Sequence, residues 1–122
     1  MDKHILVVED DYLISGMLRD LLEGEGYHVV CVPTVALAMH ILGSADEHPV
    51  DLIVLDLQLP DGYGLDFLKK IQGIREPDPP ILIISARVPP RTGPLPAAVK
   101  HIFPKPFDVD RLLRAIGREL SF

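Results

Sequence analysis

Five short apolar runs punctuate the chain: "ILVV" (Ile5 to Val8), "YHVVCV" (Tyr27 to Val32), "LIVL" (Leu52 to Leu55), "ILII" (Ile81 to Ile84) and "VKHIF" (Val99 to Phe103). A strand with one wet face alternates apolar and polar residues. Runs that stay largely apolar at successive positions instead predict strands covered on both faces, hence a mostly parallel sheet with helices on either side. The intervening segments have helical period. Leu13, Ile14, Met17, Leu18, Leu21 and Leu22 are expected to form the core face of a first helix, stopped by Gly24 and Gly26. Thr34 reads as the N-cap of a second helix carrying Leu37, Ala38, Ile41 and Leu42 before Gly43. A third runs from about Leu65 through Leu68 and Ile71, and a last one starts near Asp108 and presents Leu112, Leu113, Ile116 and Leu120.

The stretch between the fourth and fifth strands breaks this rhythm. Nine of the twelve prolines fall between Pro77 and Pro106, and those at 89, 90, 94 and 96 leave room for at most one helical turn, near Leu95 to Val99. With 122 residues, 48% of them hydrophobic, the chain is expected to form one domain, residues 1–122. No apolar run suits a membrane span and the first residues lack a signal-peptide pattern, so a cytoplasmic protein is expected. A net charge of −6 argues against a direct grip on nucleic acid. The single cysteine, Cys31, lies in an apolar run and is expected to be a buried, inert thiol.

In an open parallel sheet, ligands bind beyond the carboxyl ends of the strands. Strand one ends in Glu9, Asp10 and Asp11, strand three in Asp56, strand four in Ser85, and strand five leads within two residues to Lys105. Only strand two lacks such a group, as suits an edge. Each residue alone has a plain reading: "EDD" can cap a helix, Asp56 can open the turn "LPDG", Ser85 can end a strand, and Lys105 can be a solvated loop residue. Their convergence is less ordinary, and so is the setting "FPKPF", whose prolines stiffen the backbone around Lys105. Clustered carboxylates repel and call for a cation, and an all-oxygen donor set suits Mg²⁺ better than zinc. The five histidines show no ligand spacing. One carboxylate could then attack phosphorus while metal and lysine offset the charge on the phosphoryl oxygens.

Taken in order, "ILVVEDD", "DLIVLDLQLPDGYG", "ILIISA" and "FPKPF" resemble the receiver domains of two-component response regulators over essentially the whole chain. The resemblance implies a flavodoxin-like, doubly wound α/β fold with a five-stranded parallel sheet of order 2-1-3-4-5. The fourth helix is expected to be degraded or replaced by the Pro-rich loop. It further implies that Asp56 is the phosphoacceptor, that Asp10 ligates Mg²⁺ directly and Glu9 through water, and that Gln58 lends its backbone carbonyl to the metal. Ser85, through its hydroxyl, and Ala86, through its N–H, would meet the phosphoryl group. Lys105 would pair with the phosphoryl oxygens, with a cis bond to Pro106. Asp11 would merely open the first helix. The implied donor is a phosphohistidine on a sensor histidine kinase or a phosphotransfer protein, and the receiver of the signal is an unknown downstream protein.

On that resemblance the chain is expected not to be an enzyme in the ordinary sense, catalysing only its own phosphorylation and dephosphorylation. It departs from the family where a Tyr or Phe is usual three residues before the lysine, for Ile102 stands there. By strand alternation Phe103 should point to the opposite face, with His101 beside it. That departure keeps open a second reading, a phosphorylation-independent interaction module. A third, an aspartyl-phosphate phosphatase of the Asp-x-Asp kind, is disfavoured because Gln58 occupies the second Asp position.

Overall fold

A computed structural model describes residues 2–44, 46–86 and 95–121. Its elements run β1 (His4–Val8), α1 (Tyr12–Gly24), β2 (His28–Val32), α2 (Val35–Gly43), β3 (Leu52–Asp56), β4 (Gln58–Leu59), β5 (Gly62–Tyr63), α3 (Gly64–Ile71), β6 (Ile81–Ser85), β7 (Val99–Pro104) and α4 (Val109–Leu120). Five strands form one parallel sheet in the order β2-β1-β3-β6-β7. With the two-residue strands β4 and β5 set aside as a separate hairpin, this is the expected 2-1-3-4-5 order, and β2 is indeed an edge.

For β1, β3 and β6 the continuously apolar runs are explained by a core on each face, whereas the expected double cover fails for the edge strands β2 and β7, which are only partly covered, with Val30 exposed. Leu6, Val8, Ile53, Leu55 and Ile83 pack against Ala38 and Leu42 of α2 and Phe67, Leu68 and Ile71 of α3. Ile5, Val7, Leu52, Val54, Leu82 and Ile84 face the other way, onto Leu18 and Leu22 of α1 and Leu112, Ala115, Ile116 and Leu120 of α4. Each fully buried Val, Leu, Ile or Phe among them contributes about 1.5–3 kcal/mol by leaving water. The helices start where the sequence says. The Asp11 carboxylate accepts from the N–H groups of Leu13 (2.9 Å) and Ile14 (3.2 Å), Thr34 Oγ1 from Leu37 (3.2 Å), and Asp108 from Arg111 (3.2 Å).

Three expectations need correcting. Leu13 and Met17 do not face the core: α1 turns by roughly 100° per residue, so the stripe Ile14–Leu18–Leu22 that meets the sheet leaves both of them exposed. Leu37 is likewise exposed, because Ala38 and Leu42 set the buried stripe of α2. Cys31 is half-buried rather than buried, its thiol donating to the Ser15 carbonyl at 3.7 Å. Burial raises its pKa, which disfavours the thiolate form. Of the Pro-rich stretch expected to replace a helix, residues 87–94 lie outside the described residues. Just after them, a single turn closed by the Val99 N–H on the Pro96 carbonyl (3.0 Å) leads into β7.

The hairpin β4–β5 is closed by the Gly64 N–H on the Leu57 carbonyl at 2.8 Å. A Cβ on Gly64 would lie 2.7 Å from Leu57 Cα, a backbone atom that cannot swing aside. Gly64→Ala is therefore expected to lower stability by about 1–3 kcal/mol, as overpacking does. Urea unfolding measures it, and an unchanged midpoint would mean that the two segments are not in close contact.

Candidate functional site

Because the strands are parallel, the ends of β1, β3, β6 and β7 meet at one edge of the sheet. Backbone pairing continues past the strands and fixes the residues just beyond them. The Glu9 N–H donates to the Val32 carbonyl at 3.0 Å, and the Lys105 N–H donates to the Ser85 carbonyl at 2.7 Å. Lys105 thereby leaves β7 at the level of Ser85, and its bond to Pro106 is cis.

Glu9 (2% exposed), Asp56 (4%) and Ser85 (1%) are the buried polar residues among those described. The Lys105 ammonium donates to Glu9 Oε1 at 2.6 Å and to Asp56 Oδ2 at 3.3 Å, so one cation bridges two buried carboxylates from well-separated parts of the chain. Asp56 Oδ1 accepts from the Gln58 N–H at 3.0 Å. Asp10, on the solvent side, brings a third carboxylate, and one oxygen each from Glu9, Asp10 and Asp56 fall within 4.8 Å of one another. Three oxygen donors this close, two of them desolvated, fit a hard divalent cation.

The electrostatics reflect this crowding. Burial first, and then the adjoining Asp56 carboxyl, push the Glu9 pKa up to about 7 against the opposing pull of Lys105. Burial works to depress the Lys105 pKa, but its hydrogen bond to Glu9 and the charges of Glu9 and Asp56 outweigh that, and the net shift is upward. The lysine stays charged while one carboxylate is poised to take a proton.

Of the residues singled out from sequence, Glu9, Asp10, Asp56 and Lys105 are brought together, and Ser85 is buried at the end of β6 beside the Lys105 backbone. Ala86 comes next as an exposed bend. Gln58 touches the site through its N–H. Asp11 caps α1 with its carboxylate, and its N–H donates to Glu9 Oε2 at 3.4 Å. Ile102 packs against the α2 and α3 face and Phe103 against the other, with the His101 ring 5.9 Å from Phe103, as strand alternation requires. Sequence reasoning missed two features. One is the direct Glu9–Lys105 pair. The other is Asp61, whose carboxylate accepts from the N–H groups of Val35 (2.8 Å) and Ala36 (3.0 Å) at the start of α2. An acid in a turn signals a cap only for its own neighbours, so a partner 26 residues away leaves no local trace.

The Glu9 shift has a consequence for stability. Its folded pKa of about 7 exceeds the ordinary 4.5, so the folded chain holds a proton that the unfolded chain releases between those values. The stabilisation is complete below about 4.5 and is lost as the pH rises through about 7. Cation-free protein is expected to lose Tm across that window relative to Glu9→Gln, which cannot ionise. Parallel Tm profiles for the two proteins would contradict the shift.

Comparison with known proteins agrees with the geometry. Residues 5–117 match the response regulator receiver domain family. The chain is 35% identical over 120 residues to the DNA-binding transcriptional regulator NtrC of Rhizobium meliloti, covering 96% of this chain and 24% of that one. It spans about a quarter to a half of the length of the curated relatives it matches. Among solved structures it resembles a CheY-like receiver domain protein from Methanospirillum hungatei JF-1 (26% identity, TM-score 0.88, 99% of this chain and 95% of that one). It also resembles the response regulator TrrA of Thermotoga maritima solved with Mg²⁺–BeF (26% identity, TM-score 0.81, 97% and 99%). TrrA has been solved in complex with the histidine kinase ThkA as well (27% identity, TM-score 0.79, 98% and 99%). With its sheet order, its acidic cluster and its bridging lysine on the same edge, the chain belongs to the response regulator receiver domain family.

Proposed function

We propose that Asp56 accepts a phosphoryl group from a phosphohistidine, carried by a sensor histidine kinase or a phosphotransfer protein, in a Mg²⁺-dependent reaction, and that the modified domain signals to a downstream protein. The observation that carries this reading is a buried Asp56 held between Lys105 and the Gln58 N–H beside two further carboxylates. An Asp56 carboxylate oxygen forms the new bond to phosphorus as the phosphorus–nitrogen bond breaks and the imidazole leaves. Lys105 offsets negative charge on the phosphoryl oxygens, while the Ser85 hydroxyl and the Ala86 N–H serve as donors to them. Glu9, Asp10, Asp56 and the Gln58 carbonyl would hold Mg²⁺, which when bound supplies further neutralisation of those oxygens. Hydrolysis of the resulting acyl phosphate is the only other reaction we assign. Turnover of outside phosphoesters lacks its acid–base group, since Gln58 stands where an Asp is needed.

TrrA's complex with a kinase supports a kinase partner here. Tyr12 and Leu13 are each 86% exposed at the start of α1, and Met17 extends the same side one turn on. An apolar stripe next to Glu9 and Asp10 gives a partner surface that delivers a phosphohistidine to Asp56 something to cover. No helix among the described residues is long and apolar enough to cross a membrane, and we place the reaction in the cytoplasm.

Incubation with Mg²⁺ and a small phosphodonor is expected to add one acid-stable, hydroxylamine-labile phosphoryl group to the wild type and none to Asp56→Asn. Equal labelling of the two would sink the assignment, and partner binding indifferent to that substitution would favour a phosphorylation-independent module. Leu13→Glu is expected to slow transfer from the partner kinase by about tenfold, as loss of an interface anchor does. Its labelling by the small donor should be unchanged. Equal slowing with both donors would place Leu13 in the reaction site rather than the interface.

A further inference from the structure

We propose that Asp61 is a positioning residue for the cation site, acting through the β4–β5 hairpin; the proposal rests on the Mg²⁺ reading of the acidic cluster. Strands of two residues each cannot hold a hairpin by themselves. This hairpin begins next to Asp56 and carries Gln58, whose N–H is bonded to the Asp56 carboxylate. Its shape must therefore be imposed from outside: Leu57 is buried in the core and Leu59 packs against it, and two polar anchors add to them. One is the Gly64–Leu57 closure at the base. The other is Asp61 at the tip, where each carboxylate oxygen takes one of the first two N–H groups of α2.

The tip anchor is both charged and bidentate. Those N–H groups have no partner within the helix and sit at the positive end of its dipole, which makes them strong donors to a carboxylate. The two bonds hold Asp61 in its ionised form, its pKa lying below the ordinary value because of Val35 first and Ala36 second. Contact beside the bonds is close, since a Cβ on Gly62 would come within 3.3 Å of Val35 Cγ2. Thr34 separately satisfies Leu37. The start of α2 is thus capped twice, once by its own residue and once by the loop that leaves the reacting aspartate. Only the second cap fixes the hairpin, and hence the backbone of Gln58.

This difference supplies the test. Wild type, Asp61→Ala and Thr34→Ala of the 122-residue chain are compared by amide hydrogen exchange and by Mg²⁺ titration followed on backbone NMR signals. Asp61→Ala is expected to speed exchange of the Gln58 N–H and to weaken Mg²⁺ binding by about tenfold, in line with loss of a residue that orients metal ligands. Thr34→Ala removes a cap from the same helix and should leave both quantities at wild-type values. Asp61→Asn, which keeps a single acceptor oxygen, should fall between. Wild-type Gln58 exchange in Asp61→Ala, or equal losses in Thr34→Ala, would overturn the proposal. If the wild type bound no Mg²⁺, the reading of the cluster would fail instead, and the exchange comparison would still decide whether Asp61 holds the hairpin.

Discussion

Two carboxylates buried side by side cannot both remain ionised unless a cation is placed between them, and in this chain that cation is Lys105. Much of the architecture is needed to put it there. Glu9 and Lys105 are 96 residues apart in sequence. They meet because β1 and β7 run parallel with β3 and β6 between them, so that all four strands end on one level. The bond from the Lys105 N–H to the Ser85 carbonyl then sets the height at which the side chain leaves the strand. Without that register the Glu9 carboxyl would be desolvated with nothing to answer it. Even with the lysine it is pushed well above the ordinary carboxylate range.

The supporting structure divides into rigid and braced parts. Asp56 and Ser85 end strands buried on both faces and Glu9 follows another, where neighbouring side chains leave little freedom, whereas Lys105 follows the partly covered edge strand β7. The loop after Asp56 is backed by the core only through Leu57 and Leu59, and is otherwise braced through individual polar contacts to Asp56, Leu57 and α2. Arg75 plays a comparable part at the opposite edge of the sheet, donating to the carbonyls of Leu42 (2.9 Å), Ile41 (3.0 Å) and His48 (2.6 Å), and so closing the end of α2. α2 is therefore tied by side chains from elsewhere at both ends. This suits a helix of nine residues, too short to be stable on propensity alone.

What could be read from the sequence is what depends on local spacing. The five strands, the caps at Asp11, Thr34 and Asp108, and the placing of Ile102 and Phe103 on opposite faces all depend on periods of 2 and 3.6. The grouping of Glu9, Asp10, Asp56 and Lys105 at one edge was legible as well, because parallel strands bring their ends together. Leu13, Met17 and Leu37 read as core in the sequence, because hydrophobicity does not say which of two adjoining helical stripes meets the sheet. Glu9–Lys105, Asp61–Val35 and Arg75–His48 left no signal, since each is a polar contact between segments whose separation carries no period.

The charges at the sheet edge also explain why cation binding and phosphorylation belong together on the proposed reading. Three carboxylates face one ammonium, so the fully ionised cluster carries two negative charges in excess. A phosphoryl group on Asp56 would replace a single negative charge by nearly two. A second lysine in place of the metal would add only one positive charge and leave the phosphorylated cluster short of neutrality. A divalent ion, which Glu9, Asp10 and Asp56 would hold, would supply two positive charges without a side chain of its own. The exposure of Asp10 beside two buried acids is therefore consistent with reversible loading, whereas burial of all three would trap either the ion or a proton.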